Sequence, residues 1–508
     1  MPTQGSVRAS AAGVLAAALT LGVAEFVMGI VADGRSLVVA LGDVVIDSVP
    51  GALERAVIAA LGTNDKPFLI ANILLVSAFL GAGAGLLARR RFRLGAALLA
   101  TMTALAVAAS LADPQVGAVA PIAAGLVGGA AGIATLWGLL FWPARAISVE
   151  RRPGTDPAGG GVADRRRFLA AAAGAVLLAG TATVGGRLLA ARGKVERLRQ
   201  TIRLPRPARP APAAPAGATL PIPGITPLYV PNDRFYRIDT ALIVPQVDPA
   251  RWTLEVKGLV EKPFTLTYAE LLALPHVEAD ITLSCVSNEV GGGLVGNARW
   301  QGVPLRALLE RAHVLPAATQ VLGRSVDGFT AGFPTEVALD GRDALVAVAM
   351  NGEPLPTAHG FPARIVVPGL YGYVSAVKWL SSIELTRLED VDGYWIPRGW
   401  AKEAPVKTQS RIDVVRDDVI AGVAWAPTRG IERVEVRIDG GPWNAATLAA
   451  ALGRDSWRQW FLPWQGQQGR EYVVAVRATD GAGNTQTAER TDVAPDGASG
   501  HHTLRLRL

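Results

Sequence analysis

Cysteine and histidine are scarce in this chain of 508 residues, which contains one cysteine, Cys285, and five histidines. A single cysteine excludes an intrachain disulfide, a cysteine-ligated iron–sulfur cluster and a CxxCH haem site within this chain. The first histidine is His276, so the apolar N-terminal region has no pair of histidines to hold a haem. If electrons leave this protein, another molecule must carry them.

Charge is also sparse, since 18% of the residues are charged and 50% are hydrophobic. This balance is typical of a soluble part joined to membrane spans. Five runs are predicted as spans on length and composition: residues 10–31, 68–88, 94–112, 117–142 and 168–190. Residues 36–63 are apolar but interrupted by charged side chains, which favours an interfacial or re-entrant segment.

The positions of the charges predict an orientation. Basic clusters at 89–93 and 145–167 fall on one side of the predicted spans, and acidic residues fall on the other. The positive-inside rule then predicts a multi-pass protein of the cell membrane with a cytoplasmic N-terminus and an extracytoplasmic domain after residue 191. The net charge is +7, and the basic clusters lie beside apolar runs. No nucleic-acid motif is present in the sequence, so lipid rather than nucleic acid is the expected partner.

Residues 165–169, Arg-Arg-Arg-Phe-Leu, stand just before the last apolar run. This arrangement resembles a twin-arginine export signal, a route that carries proteins already folded around a cofactor. The alternative is that the arginines only mark the cytoplasmic end of a membrane helix.

Composition divides the chain into four parts. Residues 1–190 are the predicted membrane anchor, and residues 191–224 are rich in proline and alanine, which predicts an extended spacer. Residues 225–398 mix short strand-like and helix-like runs, which predicts an α+β domain. Residues 399–508 alternate apolar and polar positions between turns, which predicts an all-β, immunoglobulin-like sandwich.

Cys285 lies in the stretch LSCVSNEVGGG, residues 283–293. A strand that runs into a polar, glycine-rich loop would present the thiol at a cleft. By itself the signal is weak, because a lone cysteine is more often a small buried hydrophobe than a ligand. A Cys–His hydrolase with His276, His313 or His359 as base is also open, although no flanking motif supports it.

Two further stretches carry candidate chemistry. In HGFPARIVVPGLYGYVSAVKWL, residues 359–380, a histidine, an arginine and a lysine flank a Gly/Tyr loop. They suit a bound phosphate, or they are ordinary charges at strand ends. In PNDRFYRIDT, residues 231–240, polar side chains alternate with aromatics, which predicts either a pocket lining or a turn with anchoring rings.

These three stretches, in this order, resemble the sulfite oxidase family of molybdopterin enzymes. Segment 359–380 is similar to the family's pterin-phosphate segment, and GVAWAPTRGIERVEVRIDGGPW, residues 422–443, to the start of its C-terminal dimerisation domain. The resemblance covers residues 225–508, and the anchor resembles that of membrane-bound bacterial members. It implies a multi-domain protein with an all-α transmembrane N-terminal region, an α+β molybdopterin domain and a C-terminal immunoglobulin-like sandwich that supports a homodimer.

The resemblance also implies the site residues. Cys285 becomes the thiolate ligand of a molybdenum–molybdopterin cofactor, because a soft thiolate suits a redox-active metal. The expected catalytic residues are Cys285, Arg237 and Tyr373. The expected cofactor-binding residues are Asn232, Phe235, Tyr236, Arg237, Cys285, Asp327, His359, Arg364, Ala376, Val377 and Lys378.

The chain departs from the family after the cysteine. Sulfite oxidases of animals and plants continue with an Ala-Gly-Asn-Arg-Arg type of run, whereas residues 286–290 here read Val-Ser-Asn-Glu-Val. A dianion needs fixed positive charge, for which Arg237 and Arg299 are the candidates.

The function expected from these observations is oxygen-atom transfer on a small sulfur- or nitrogen-containing substrate outside the cytoplasm. Its electrons pass to or from an external cytochrome or quinone-linked protein. Sulfite oxidation proper is one alternative. A non-catalytic envelope scaffold with a vestigial cofactor fold is the other.

Overall fold

The computed structural model describes residues 4–31, 36–49, 57, 65–112, 117–145, 169–170, 172–183 and 194–508. The chain divides into two compact units. The first comprises Met1–Lys194 with Ala241–Ile243, and the second comprises Val195–Thr240 with Val244–Leu508. The predicted site residues all fall in the second unit.

Apolar helices make up the described part of the first unit. In chain order they are α1 (Gln4–Val31), α2 (Leu37–Ser48), α3 (Asp65–Arg90), α4 (Phe92–Ala112), α5 (Val119–Arg145) and α6 (Ala172–Thr183). Helices α1, α3, α4 and α5 contain stretches of 21 to 26 residues that are long and apolar enough to cross a membrane. Four of the five predicted runs are therefore confirmed as long apolar helices.

The fifth predicted span, 168–190, is described mainly over α6, and the remainder lies outside the described residues. Arginines 165–167 of the predicted export signal also lie outside them. The export signal and the fifth crossing therefore stay predictions. Segment 36–63, which was not predicted to span, is described mainly over α2, a helix too short to cross a bilayer.

Small residues let α1 and α3 approach closely. A Cβ added to Gly13 would overlap the carbonyl oxygen of Gly81, and one added to Gly85 would overlap the carbonyl oxygen of Ala9. Larger side chains at these positions would push the two helices apart. Close approach through glycine is typical of helices that pack within membranes, where association depends on van der Waals contact.

Two five-stranded sheets form the part of the second unit that follows a short helix, α7 (Lys194–Thr201). The strands are β1 (Thr253–Gly258), β2 (Phe264–Thr267), β3 (Val277–Ser284), β4 (Val295–Pro304), β5 (Gln320–Ser325), β6 (Thr330–Pro334), β7 (Leu345–Met350), β8 (Glu353–Pro354), β9 (Arg364–Val366) and β10 (Leu380–Thr386). The helices between them are α8 (Tyr268–Ala273), α9 (Leu305–Ala312), α10 (Thr335–Leu339) and α11 (Gly372–Ser375).

One sheet has the strand order β2-β1-β10-β5-β6, in which β1 and β10 are parallel. The other has the order β3-β4-β7-β8, with β9 also paired to β7. Strand β7, with the sequence LVAVAM, is buried along its whole length, as expected for a strand covered on both faces. The β-rich mixture of strands and short helices agrees with the α+β prediction.

The C-terminal part contains two four-stranded antiparallel sheets. Their strands are β11 (Gln409–Val415), β12 (Val419–Trp425), β13 (Ile431–Ile438), β14 (Trp443–Ala445), β15 (Thr447–Leu448), β16 (Arg458–Pro463), β17 (Glu471–Asp480) and β18 (His502–Arg507). The orders are β11-β12-β16-β15 and β14-β13-β17-β18. Side chains from both sheets, including Ile420, Val434 and Trp460, share one apolar core. The β-rich prediction holds, and the immunoglobulin-like classification stays a prediction.

The proline-rich segment is bonded along the second unit rather than running free. Gln301 donates to the carbonyl oxygen of Pro205 at 2.8 Å, and the carbonyl oxygen of Arg209 accepts from the N–H of Glu278 at 2.9 Å. Further along, the carboxamide of Gln459 bonds both Leu220 and Thr226. The extended backbone that proline favours is present, but the segment packs as a strap on the sheets.

Candidate active site

Cys285 directly follows β3, where the strand passes into a loop. Its N–H donates to the carbonyl oxygen of Leu294 at 2.9 Å, and its own carbonyl oxygen accepts from Asn288 N at 3.1 Å. The residue is buried, with 8% of its surface exposed. Burial raises the pKa of the thiol, and hydrogen bonds with Ser287 partly oppose this rise. No group of three or more His, Cys, Asp or Glu side chains in the described ranges is arranged to hold a metal.

Arg364, the first residue of β9, carries a buried guanidinium. Its Nη1 donates to the carbonyl oxygen of His359 at 3.1 Å, and its central carbon lies 5.1 Å from the centroid of the Trp300 ring. The Nε atom is buried and has no hydrogen-bond partner in the part of the chain that the structure describes. Burial lowers the pKa of Arg364 to about 10, and Tyr236 opposes the shift. A buried cation in this state is stabilised by any anion that reaches it.

Lys378 lies beside this arginine, since a Cβ on Gly360 would be 3.1 Å from both Lys378 Cα and Arg364 Cβ. Its Nζ donates to Asp239 Oδ2 at 2.7 Å, and Arg237 Nε donates to the same oxygen at 3.0 Å. Burial lowers the pKa of Lys378 to about 8, although Asp239 opposes the shift. Lys378 and Arg237 thus share the carboxylate of Asp239. Together with Arg364 they form a basic cluster of three cations and one carboxylate, which keeps a net positive charge.

His359 and the aromatic loop pack against each other. His359 Nε2 donates to the carbonyl oxygen of Asn232 at 2.8 Å. The Phe235 ring meets the His359 ring edge-on at 5.7 Å and stacks on Tyr236 at 5.2 Å. Burial, with Arg364 nearby, lowers the pKa of His359 to about 4, so the ring is neutral at pH 7. The segments 359–380 and 231–240, which are distant in sequence, are therefore in contact.

Tyr236 connects Cys285 to the basic cluster. Burial raises the pKa of the Tyr236 hydroxyl, Cys285 raises it further, and Arg364 lowers it, so the phenol lies within electrostatic range of both groups. Tyr371 also interacts with Cys285 and is buried, which raises its pKa to about 12. A Cβ on Gly372 would lie 3.9 Å from the carbonyl oxygen of Ser284, so the loop after β9 passes the end of β3.

Two predicted site residues use their side chains in structural contacts. Asn232 Nδ2 donates to Glu353 Oε1 at 2.6 Å, which leaves its backbone carbonyl as the group that faces the histidine. The hydroxyl of Tyr373 donates to the carbonyl oxygen of Ala401 at 2.6 Å. Their expected roles at the cofactor and in catalysis therefore depend on the family resemblance and stay predictions.

The remaining predicted residues fall on turns. Asp327 is half-buried and its carboxylate accepts a hydrogen bond within its own turn. The N–H of Ala376 donates to the carbonyl oxygen of Gly372 at 2.8 Å, and the carbonyl oxygen of Val377 accepts from Ile365 at 2.9 Å. These bonds hold the backbone between α11 and Lys378 in place, and its contact with a cofactor stays a prediction.

Arg299, a candidate for binding an anionic substrate, lies in an ion pair. Its Nε and Nη2 donate to the two carboxylate oxygens of Asp280, each at 2.8 Å, and Nη2 also donates to the hydroxyl of Tyr229. The hydrogen bond with Asp280 raises the pKa of the guanidinium. This structural partner argues against the expectation that Arg299 supplies fixed charge to a substrate.

Sequence reasoning missed three residues of the site. Asp239 lies near the end of the stretch 231–240 and accepts from Lys378. Trp300 lies against the guanidinium of Arg364, and Tyr371 is within electrostatic range of Cys285. Two of them lie within the quoted stretches, so their position was a weak signal. Trp300 lies within β4, and nothing in its local sequence distinguishes it from an ordinary core tryptophan.

The donor set fits a molybdenum–pterin cofactor with a phosphate. Cys285 would offer one soft thiolate to the metal, and the pterin and solvent would supply the remaining ligands. Arg364 and Lys378 are buried cations whose pKa values fall on burial, and an anionic phosphate would reverse that effect. The partnerless Nε of Arg364 is a donor that such an anion satisfies.

Comparison with known proteins gives matches to this part of the chain. The family described as oxidoreductase molybdopterin binding domain matches residues 241–395. The oxidoreductase YuiH of Bacillus subtilis is 37% identical over 153 residues, which cover 30% of this chain and 74% of YuiH. The mitochondrial sulfite oxidase of Drosophila melanogaster is 32% identical over 235 residues, which cover 42% of this chain.

The chain matches 40% of the length of the Drosophila sulfite oxidase. Among solved structures, the sulfane dehydrogenase SoxCD from Paracoccus pantotrophus is similar, with 25% identity and a TM-score of 0.47. The match covers 52% of this chain and 77% of that one.

Proposed function

Because this chain belongs to the sulfite oxidase family and is a molybdenum-dependent oxidoreductase, we propose that it is a membrane-tethered enzyme of the cell envelope. It acts on a small sulfur- or nitrogen-containing substrate outside the cytoplasm. The observation that carries the proposal is the buried Arg364, which lies beside Lys378 and whose Nε lacks a hydrogen-bond partner among the described residues. Tyr236 lies within electrostatic range of both Arg364 and Cys285.

The cofactor supplies two-electron oxygen-atom transfer: water provides the oxygen while two electrons and two protons leave, or the reverse. This chain's residues bind and orient it. Cys285 provides the thiolate ligand, and Arg364 with Lys378 holds the phosphate through charge-assisted hydrogen bonds. His359, neutral at pH 7, donates to the carbonyl of Asn232 and keeps the aromatic loop in place.

The substrate class follows from charge near the cysteine. Residues 286–290 contain no arginine, and Arg299 is paired with Asp280. Arg237 shares Asp239 with Lys378 and so belongs to the basic cluster with Arg364 and Lys378. These observations favour reduction of a neutral S-oxide or N-oxide over oxidation of the sulfite dianion, which requires fixed positive charge. Sulfite oxidation is the second candidate, supported by the sulfite oxidases among the relatives.

The membrane tether is supported by the four long apolar helices of the first unit. The charge pattern of the sequence favours a cytoplasmic N-terminus. The proposal includes the predicted fifth crossing at residues 168–190, because an odd number of crossings is needed to bring the second unit to the outer side. In this proposal residues 225–398 bind the cofactor, and residues 399–508 form an immunoglobulin-like, dimer-forming domain, in keeping with their two facing sheets. An external cytochrome or a quinone-linked protein supplies the electrons for this reduction, and it would accept them if the enzyme oxidised sulfite.

Molybdenum analysis and pterin fluorescence on the purified full chain, with assays in both directions, test the proposal. The wild type is expected to hold both components and to reduce S- or N-oxides faster than it oxidises sulfite. The Cys285→Ser variant is expected to fold and to lose turnover. Absence of metal and pterin would instead support a non-catalytic scaffold, and normal turnover by a metal-loaded Cys285→Ser protein would refute the ligand assignment.

A further inference from the structure

The loop that carries Cys285 is closed at its base by its own backbone. We call residues 285–294 the cysteine loop. Besides the bond from Cys285 to Leu294, the side-chain oxygen of Asn288 accepts from Leu294 N at 2.7 Å. These bonds fix the two ends of the loop. The tip, residues 291–293, consists of three successive glycines, and within the loop Gly292 N donates to the carbonyl oxygen of Glu289 at 2.8 Å.

Arg411 of β11 reaches this tip from the C-terminal sheets. Its Nη1 donates to the carbonyl oxygen of Gly292 at 2.8 Å. Its Nε donates to Asp413 Oδ1 at 2.7 Å, and its Nη2 donates to the hydroxyl of Thr226 at 2.7 Å. Asp413 also accepts from Thr226 N at 3.0 Å, so contacts outside the cysteine loop hold the guanidinium in place. Its fork geometry makes these contacts specific to arginine.

His502, the first residue of β18, closes the tip from a second direction. Its Nδ1 accepts from Ile412 N at 3.0 Å, which fixes the ring beside Arg411. A Cβ on Gly291 would overlap this ring, and Gly291 has φ +82°, a conformation that favours glycine. The glycine is thus required both by its backbone conformation and by the histidine packed against it.

From these contacts we propose that the C-terminal sheets position the metal-ligand thiol, with Arg411 and His502 acting as a clamp on the tip of the cysteine loop. Both are positioning residues, since they act on Cys285 through the loop. The inference rests on the proposed function only in naming Cys285 as the ligand. A site with one protein ligand depends on that ligand being held in place before the cofactor arrives.

Cys285 is the only cysteine in the chain, so thiol labelling reports the cysteine loop alone. The experiment measures the labelling rate of the full-length, cofactor-free protein in detergent with a small disulfide reagent. Arg411→Lys keeps the charge beside Asp413 but loses the fork that reaches Gly292. We expect labelling at least about tenfold faster than in wild type, as loss of a charge-assisted hydrogen bond implies.

Arg429→Lys is the matched control. Arg429 also pairs with an aspartate, Asp480, and also donates to a backbone carbonyl and a threonine hydroxyl, at Val406 and Thr408. No hydrogen bond joins Arg429 to the cysteine loop among the described residues. Both variants should lower the urea midpoint similarly, but Arg429→Lys should label at close to the wild-type rate.

Two outcomes overturn the clamp: Arg411→Lys labels as slowly as the wild type, or both variants label equally fast because the C-terminal sheets loosen generally. Labelling of the cofactor-free chain needs no metal, so either result leaves the proposed function unaffected. Conversely, lack of molybdenum in the wild-type protein would refute the proposed function without changing the labelling rates.

Discussion

Two arginines of the second unit, Arg364 and Arg299, are both half or more buried, yet they have opposite surroundings. Arg299 bonds both oxygens of Asp280, and this pairing raises its pKa. Arg364 has a partnerless Nε over the ring of Trp300, and burial lowers its pKa to about 10. A buried cation without a protein anion is typical of a site where a bound anion neutralises it. The contrast therefore indicates a structural role for Arg299 and a ligand-binding role for Arg364.

The largest expected effect is at the paired arginine. Arg299→Met leaves Asp280, whose side chain is 7% exposed, without its cation. We expect the free energy of unfolding of the second unit to fall by about 3–5 kcal/mol, measured by urea titration with tryptophan fluorescence. Arg306→Ala, which removes an exposed i,i+4 pair with Glu310, is the control and should cost about 0.5 kcal/mol or less. Equal losses in the two variants would contradict the interpretation of Arg299.

Arg364→Met should act in the opposite direction on the cofactor-free protein. Methionine fills a similar volume without a charge to desolvate, so the free energy of unfolding should rise by about 2 kcal/mol. The same variant should fail to retain pterin, measured by fluorescence after gel filtration. If Arg364→Met destabilises the cofactor-free chain as Arg299→Met does, then both arginines are structural and the contrast fails.

The smallest effect is a pH dependence at His359. Its pKa is lowered from 6.5 to about 4, so the unfolded state binds more protons between these values. Stability is therefore fully present above pH 6.5 and is lost as the pH falls toward 4, by about 1 kcal/mol between pH 7 and pH 5.5. Urea titrations of the cofactor-free protein at both values measure this loss. His359→Gln should remove that share of the slope, and an unchanged slope would exclude His359 as its source.

Local patterns predicted the parts of this molecule that depend on nearby residues. Apolar runs located the four long helices, and the stretch from His359 to Lys378 brought the basic residues together because a strand and a short turn connect them. Cys285 was found by its position between recognisable stretches. Its lone thiol carried little information by itself.

The partners of these residues were not predictable, because they come from distant parts of the chain. Asp239 lies 139 residues before Lys378 in sequence, and the Arg299–Asp280 pair depends on the register of β3 against β4. The contact between Arg411 and Gly292 spans 119 residues. Each depends on which loops and strands the tertiary fold brings together, which hydrophobic periodicity does not encode.

The proline-rich segment that is hydrogen-bonded to the sheets also determines where a fragment of this protein should begin. Residues 205–226 supply hydrogen-bond partners to Gln301, Glu278 and Gln459, which belong to both sheet regions of the second unit. A fragment that starts at residue 225, where composition marks the domain edge, loses Pro205, Arg209 and Leu220 as partners, and it exposes the edge of β3 that Arg209 covers. A fragment that starts at residue 194 is 31 residues longer and keeps all of these hydrogen-bond partners on its sheets.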